Sequence, residues 1–196
     1  MPRLQADADP SRWVAVTGSL GLRGRRHRKA AIRMLLGQGS RMMGGQGRGS
    51  GLLAWTLSQA APLMLRRADG RVLVWVWKDD PELVVVAAQV QEITPQLRAA
   101  RAMMPMEYDD TEPFQGAYLG MGEKLVLDRP DAAGAPPMAE YTWDTGAHFV
   151  TVTALCGDPQ RFGTVIGAVD ALARIVRLTD DLRVTETTGV LRLGPA

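Results

Sequence analysis

The chain has 196 residues, 46% of them hydrophobic, enough for one domain with a sizeable core and too apolar for wholesale disorder. Its net charge of +2 conceals a division: eleven Arg or Lys and no Asp or Glu lie between Pro10 and Ala68, leaving the remainder with twelve positive and twenty-one negative groups. One cysteine, Cys156, excludes a disulfide within the chain, and the longest apolar-rich run, 52–65, falls short of the roughly 20 residues a spanning helix needs.

The opening MPRLQADADPSRW carries two acids and no apolar core of a secretory signal, which predicts a cytoplasmic protein, soluble or peripheral to the membrane. SRWVAVTG at 11–18 alternates as a short first strand. RRHRKAAIRMLLG then has the length of three helical turns, with Ile32, Leu35 and Leu36 as its apolar face and Gly37 as its end. GQGSRMMGGQGRGSG at 37–51 is too rich in glycine to hold regular structure unaided. Ser50 is placed to cap a helix that Pro62 stops.

A meander follows over 63–91: a strand, a turn on Asp69-Gly70, a second strand, a turn on Asp79, Asp80 and Pro81, and a third strand. The middle strand shows Val72, Val74 and Val76 on one face and Leu73, Trp75 and Trp77 on the other, so both faces are expected to be covered. Thr94 and Pro95 start a helix that Pro105 ends. The stretch 105–116 reads as an acidic loop, 117–128 as strand, and 131–137 as a flexible connector. A hairpin turning at Asp144-Thr145-Gly146 puts Phe149, Thr151 and Thr153 on one face and His148, Val150, Val152 and Ala154 on the other. The last helix is expected over 158–178, with Asp158 as cap and a stripe of Phe162, Val165, Ile166, Val169, Leu172, Ala173 and Val176; Arg174 and Arg177 fall in its last turn. The tail 182–193 has the pattern of an edge hairpin.

Hairpins with a few helices give an α+β fold, an antiparallel sheet with helices packed on it, without the strand–helix alternation of a nucleotide-binding fold. The division is an N-terminal part, 1–60, with the first strand, the basic Gly/Arg-rich arm and a short helix, and a sandwich over 61–196. The hairpin YTWDTGAHFVTVTALC followed by DPQRFGTVIGAVDALARIVRL, residues 138–178, resembles the end of PsbP/Mog1-like domains, including LpqN-type actinobacterial proteins. That resemblance implies a non-enzymatic binding or assembly module. The chain departs from the LpqN type in having no cysteine to carry a lipid, and the resemblance carries over no site residues.

Chemistry is scarce. His27 and His148 have no metal-ligand spacing around them, Cys156 reads as a small hydrophobe, and neither a nucleophile elbow nor a phosphate-binding glycine loop fits any stretch. An enzyme would need His148, Cys156 and an acid to converge. Glu107, Asp109, Asp110 and Glu112 form a carboxylate cluster between prolines, read as a solvated loop or a complement to the basic arm. No cofactor is implied. The expected binding element is residues 21–51, with eight cations, nine glycines and no carboxylate. Its contact residues are Arg23, Arg25, Arg26, Arg28, Lys29, Arg33, Arg41 and Arg48, helped by the pliable Met42 and Met43. The expectation is a non-catalytic interaction protein docking through this arm on an acidic protein partner or a larger assembly. The alternatives are a peripheral membrane-surface module and a nucleic-acid-binding module; nucleic acid fits less well, because aromatics are not interleaved with the charges. The bland alternative is internal neutralisation by the acidic remainder.

Overall fold

The computed structural model describes residues 2–17, 27, 30, 31, 34, 70–102, 111–128 and 136–180. Within them the chain is mixed α+β. Its strands are β1 (Pro2–Gln5), β2 (Trp13–Ala15), β3 (Val72–Trp77), β4 (Val84–Glu92), β5 (Thr111–Gly116), β6 (Gly120–Leu127), β7 (Met138–Asp144), β8 (His148–Cys156) and β9 (Arg177–Asp180), with helices α1 (Pro95–Ala102) and α2 (Phe162–Arg174). Seven strands form one antiparallel sheet in the order β2-β3-β4-β8-β7-β6-β5, and β1 pairs with β9 as a separate ribbon.

The sheet has two covered faces because its central strands are apolar on both. Trp75 of β3, Val84, Val86, Ala88 and Val90 of β4, Val150, Val152 and Ala154 of β8, and Tyr141 and Trp143 of β7 build the first-face core. Onto it α2 lays Phe162, Val165, Ala168, Val169, Leu172 and Ala173, and the β1–β9 ribbon adds Leu4 and Leu178. The opposite face gathers Val74, Val76, Val85, Met138 and Leu155 around Ala31, with Met34 packed against them. The expected alternations of β3 and β8 are therefore found, each strand serving two cores.

The N-terminal segment is built into this sandwich. Trp13 pairs with Trp77 across β2 and β3, and their rings meet edge to face at 5.2 Å. Leu4 N–H donates to the Gly70 carbonyl at 2.7 Å, Arg177 pairs with Asp7 at 3.0 Å, and the Thr179 hydroxyl donates to the Arg3 carbonyl. Ser11 caps the turn before β2 by donating from both its N–H and its hydroxyl to Asp9, which lowers the carboxyl's pKa.

Local signals read from the sequence appear where expected. The Thr94 hydroxyl accepts from Leu97 N–H at 3.1 Å at the start of α1. Asp158 accepts from Gln160 N–H at 3.0 Å, with Pro159 opening a 3-10 turn that feeds α2. Gly146 takes a φ of +85°, and its N–H donates to Asp144 Oδ1 at 2.7 Å in the β7–β8 turn.

Two expectations are corrected. Residues 111–116, read within an acidic loop, form the edge strand β5: Phe114 packs on Tyr141 at 4.7 Å, and Pro113 is tolerated at an edge. Helix α2 ends at Arg174 rather than near 178, because the following residues leave the helix to pair as β9 with β1. Arg177 thus serves Asp7 instead of a helix dipole. In the basic stretch Ala30 and Ala31 are buried, and the expected apolar face of Ile32, Leu35 and Leu36 lies outside the described residues. The strand at 63–68, the helix after Ser50, the 131–135 part of the connector and the tail hairpin also lie outside them. No helix among the described residues is long and apolar enough to cross a membrane.

Candidate functional site

The expected contact residues Arg23, Arg25, Arg26, Arg28, Lys29, Arg33, Arg41, Met42, Met43 and Arg48 all lie outside the described residues. Four neighbours within the same stretch do not. His27, Ala30, Ala31 and Met34 are helical and spaced i, i+3, i+4 and i+7, the spacing of one helix face. Ala31 is 1% exposed within the second-face core, and His27 Nε2 meets the Lys78 carbonyl at 3.1 Å. His27 Nδ1 is buried without a hydrogen-bond partner. Small alanines let the helix backbone come close to the Val74, Val76 and Val85 surface. The basic stretch is thereby fastened to the sheet through its least charged residues.

Five carboxylates are paired with cations that also lie among the described residues. Asp7 meets Arg177, Asp9 meets Arg12, Asp80 meets Arg161 at 2.8 Å, Asp144 meets Arg98, and Asp170 meets Lys124. The last pair is the most enclosed: Lys124 Nζ lies 3.0 Å from Asp170 Oδ1, and the buried Tyr141 hydroxyl donates to the same oxygen at 2.6 Å. Burial, followed by the Asp170 hydrogen bond and charge, raises the pKa of Tyr141, so its phenol stays protonated well beyond neutral pH. This triad pins α2 to β6 and β7.

A catalytic thiol is not assembled. His148 begins β8 and Cys156 ends it, so eight strand steps, roughly 26 Å, separate them. The Cys156 thiol is buried, with its pKa raised by that burial, and donates to the Asp158 carbonyl at 3.1 Å. Glu107, Asp109 and Asp110 lie outside the described residues, while Glu112 is exposed on β5. Among the described residues no group of three His, Cys, Asp or Glu is arranged to hold a metal.

The second face also carries a cleft that sequence reading missed. Its volume is about 640 Å³, and it opens where β5, β6, β7 and α1 meet. Cross-strand register explains its composition: Pro113 stands opposite Glu123, Glu123 opposite Thr142, and Asp144 opposite Phe149, which places these residues on one face. Thr142 and Phe149 form a buried floor, Glu123 and Asp144 supply carboxylates, and Arg98 of α1 faces Asp144 at 3.9 Å. The signal was present in part, since the alternation of β8 separated Phe149 and the threonines from the valines. The register that brings β6 and β7 carboxylates to the same face was not readable.

No protein-family model, no curated protein and no solved structure matches this chain.

Proposed function

We propose that this chain is a non-catalytic docking module of the reducing cytoplasm, a sandwich that presents the Arg/Gly-rich segment 21–51 to an acidic protein partner or assembly. The observation that carries the reading is the charge division of the sequence, eight cations without a carboxylate over 21–51, taken with the anchoring of that stretch. Its described residues, His27, Ala30, Ala31 and Met34, are held against the domain by packing and by the Lys78 carbonyl. A stretch so rich in guanidinium gains most from fixed negative charge on another surface, and arginine and methionine are enriched in interface cores. The hairpin and helix of 138–174 support, within this reading, kinship with PsbP/Mog1-like binding modules. A reducing compartment suits the buried, unpaired Cys156.

The test is affinity capture from a lysate with the full chain and with a variant in which Arg23, Arg25, Arg26, Arg28, Arg41 and Arg48 are replaced by Gln. The domain of the variant is checked by circular dichroism. The reading expects acidic proteins captured at low salt by the wild type and released from the variant. Equal capture by both chains, or binding of the wild type to acidic vesicles or nucleic acid in place of protein, would sink it.

A further inference from the structure

From the first-face core we infer a binding site for a small aromatic carboxylate, in which the chain's own Phe114 is the resident plug. The site lies between the tip of the β5–β6 hairpin, Tyr141 and Trp143 of β7, and the end of α2. It is independent of segment 21–51 and of the docking role proposed for that segment.

The slot itself is the first argument. Phe114 is buried, and its ring meets Tyr141 edge to face at 4.7 Å and Trp143 at 5.9 Å. The Arg174 guanidinium lies 4.9 Å from the centre of the same ring. Tyr141 and Trp143 stand nearly parallel, with 13° between their planes, and form an aromatic wall. The space Phe114 fills therefore has the size and lining that a single aromatic ring requires.

The plug leaves the donors around it unserved, which is the second argument. Trp143 is fully buried, and its Nε1 has no hydrogen-bond partner. Buried polar groups in folded proteins are nearly always paired, so this N–H marks a place where an acceptor belongs. Arg174 is exposed at the end of α2, and its guanidinium pairs with no carboxylate among the described residues. Indole and guanidinium groups only donate, and a ring bearing a carboxylate brings acceptors that a phenylalanine side chain lacks. The other charges on this face are Lys124 and Asp170, which pair with each other, and Glu112, which stands opposite Lys124 in register. Arg174 is the cation left for an incoming anion.

The hairpin tip that carries Phe114 gives the plug a way out. The β6–β7 ladder ends at Glu123 and Thr142, so residues 114–122 run past it, paired with one another across the hairpin. The Ala117 N–H donates to the Arg174 carbonyl at 2.8 Å, and Arg177 lies over the exposed Tyr118 ring at 5.5 Å, both contacts at the rim of the site. Glycine backbone covers the orphaned donor: a Cβ on Gly116 would lie 3.0 Å from Trp143 Nε1, and one on Gly122 would lie 2.7 Å away. Lifting the tip thus bares the indole N–H and withdraws Phe114 in one movement. Because the closed tip competes with the ligand, the apparent affinity of the wild type is lowered by the fraction of molecules that are open.

The experiment titrates the full chain with benzoate and follows the Trp143 indole N–H by proton–nitrogen NMR, the resonance being assigned with Trp143→Phe. Toluene, a ring without a carboxylate, and acetate, a carboxylate without a ring, are the controls. Benzoate at about 10 mM should shift the resonance in the wild type, the weak binding expected of a plugged site. Phe114→Ala should bind benzoate at least about tenfold more tightly than the wild type, since the plug is gone. Arg174→Gln should lose about tenfold, the worth of a hydrogen bond to a charged group. Thermal melting checks each variant, and if Phe114→Ala is unfolded, Phe114→Leu takes its place with a gain of the same sign. An unmoved indole resonance in the wild type overturns the proposal whatever the variants do. So do equal affinities of the Phe114 variant and the wild type, or of Arg174→Gln and the wild type. A dry apolar cavity takes up simple aromatics unaided, so toluene binding as tightly as benzoate would show a cavity only and would also overturn it.

Discussion

The Tyr141 hydroxyl donates to Asp170 Oδ1 at 2.6 Å, joining the floor of the sheet to the helix that closes it. Lys124 completes the arrangement from β6, with its side chain 13% exposed and that of Asp170 19% exposed. A pair so enclosed is costly to break from one side, because the surviving charge keeps its desolvation without its partner. Asp170→Ala is therefore expected to lose about 3 kcal/mol, and Tyr141→Phe, which removes a hydrogen bond to a charged group, about 1.5 kcal/mol. Urea unfolding midpoints of the two variants check the order.

The same phenol sets an alkaline limit. The folded-state pKa of Tyr141 is raised, chiefly by burial, above the unfolded value of about 10. Its contribution is fully present below pH 10 and is lost as pH rises beyond, because the unfolded chain releases its proton first. Stability should fall by about 1.4 kcal/mol per pH unit from this group above pH 10. Tyr141→Phe should flatten that slope in unfolding titrations between pH 9 and 11; an unchanged slope would assign it elsewhere.

Gly122 and Gly167 should respond oppositely to alanine. A Cβ on Gly122 would meet the Thr142 carbonyl and come within 2.7 Å of Trp143 Nε1. Backbone and a fully buried indole cannot give way cheaply, so Gly122→Ala should cost about 3 kcal/mol. Gly167 lies inside α2 with nothing within 4 Å of an added Cβ. Gly167→Ala should stabilise the chain by about 0.5–1 kcal/mol, since alanine loses less conformational freedom in a helix. Thermal melts of both variants decide.

Ala31 tests the anchor of the basic stretch. It is 1% exposed in the core cluster of Val74, Val76, Val85 and Leu155. Ala31→Leu should destabilise the chain by about 1–3 kcal/mol through overpacking. A neutral or stabilising outcome in chemical denaturation would mean that this helix face is not seated on the sheet.

Cys156 should be inert until the domain opens. Its thiol is buried, held by the Asp158 carbonyl and kept protonated by burial, and the thiolate is the reactive form. Labelling by a disulfide reagent at pH 7.5 should proceed at the rate of unfolding and accelerate in the destabilised Gly122→Ala chain. Rapid stoichiometric labelling of the native protein would contradict the burial.

The sequence alone determined what depends on neighbours in the chain. Thr94 with Pro95, Asp158 with Pro159 and the Asp144-Thr145-Gly146 turn are local devices, each satisfied within a few residues, and they stand where their chemistry placed them. The two-faced alternation of β3 was legible for the same reason, because strand periodicity is fixed by the backbone. Tertiary structure decided what depends on partners far away in the sequence. Residues 111–116 contain Pro113 and end a stretch that reads locally as a loop, yet form β5 because β6 supplies the ladder and Tyr141 and Trp143 cover Phe114. Residues 177–180 leave the helical pattern because β1, more than 170 positions away, offers a strand to pair with. The cleft belongs to this second class: its carboxylates Glu123 and Asp144, its buried Thr142 and Phe149 and its Arg98 come from several elements, and cross-strand register, which no local pattern encodes, brings the strand residues to one face.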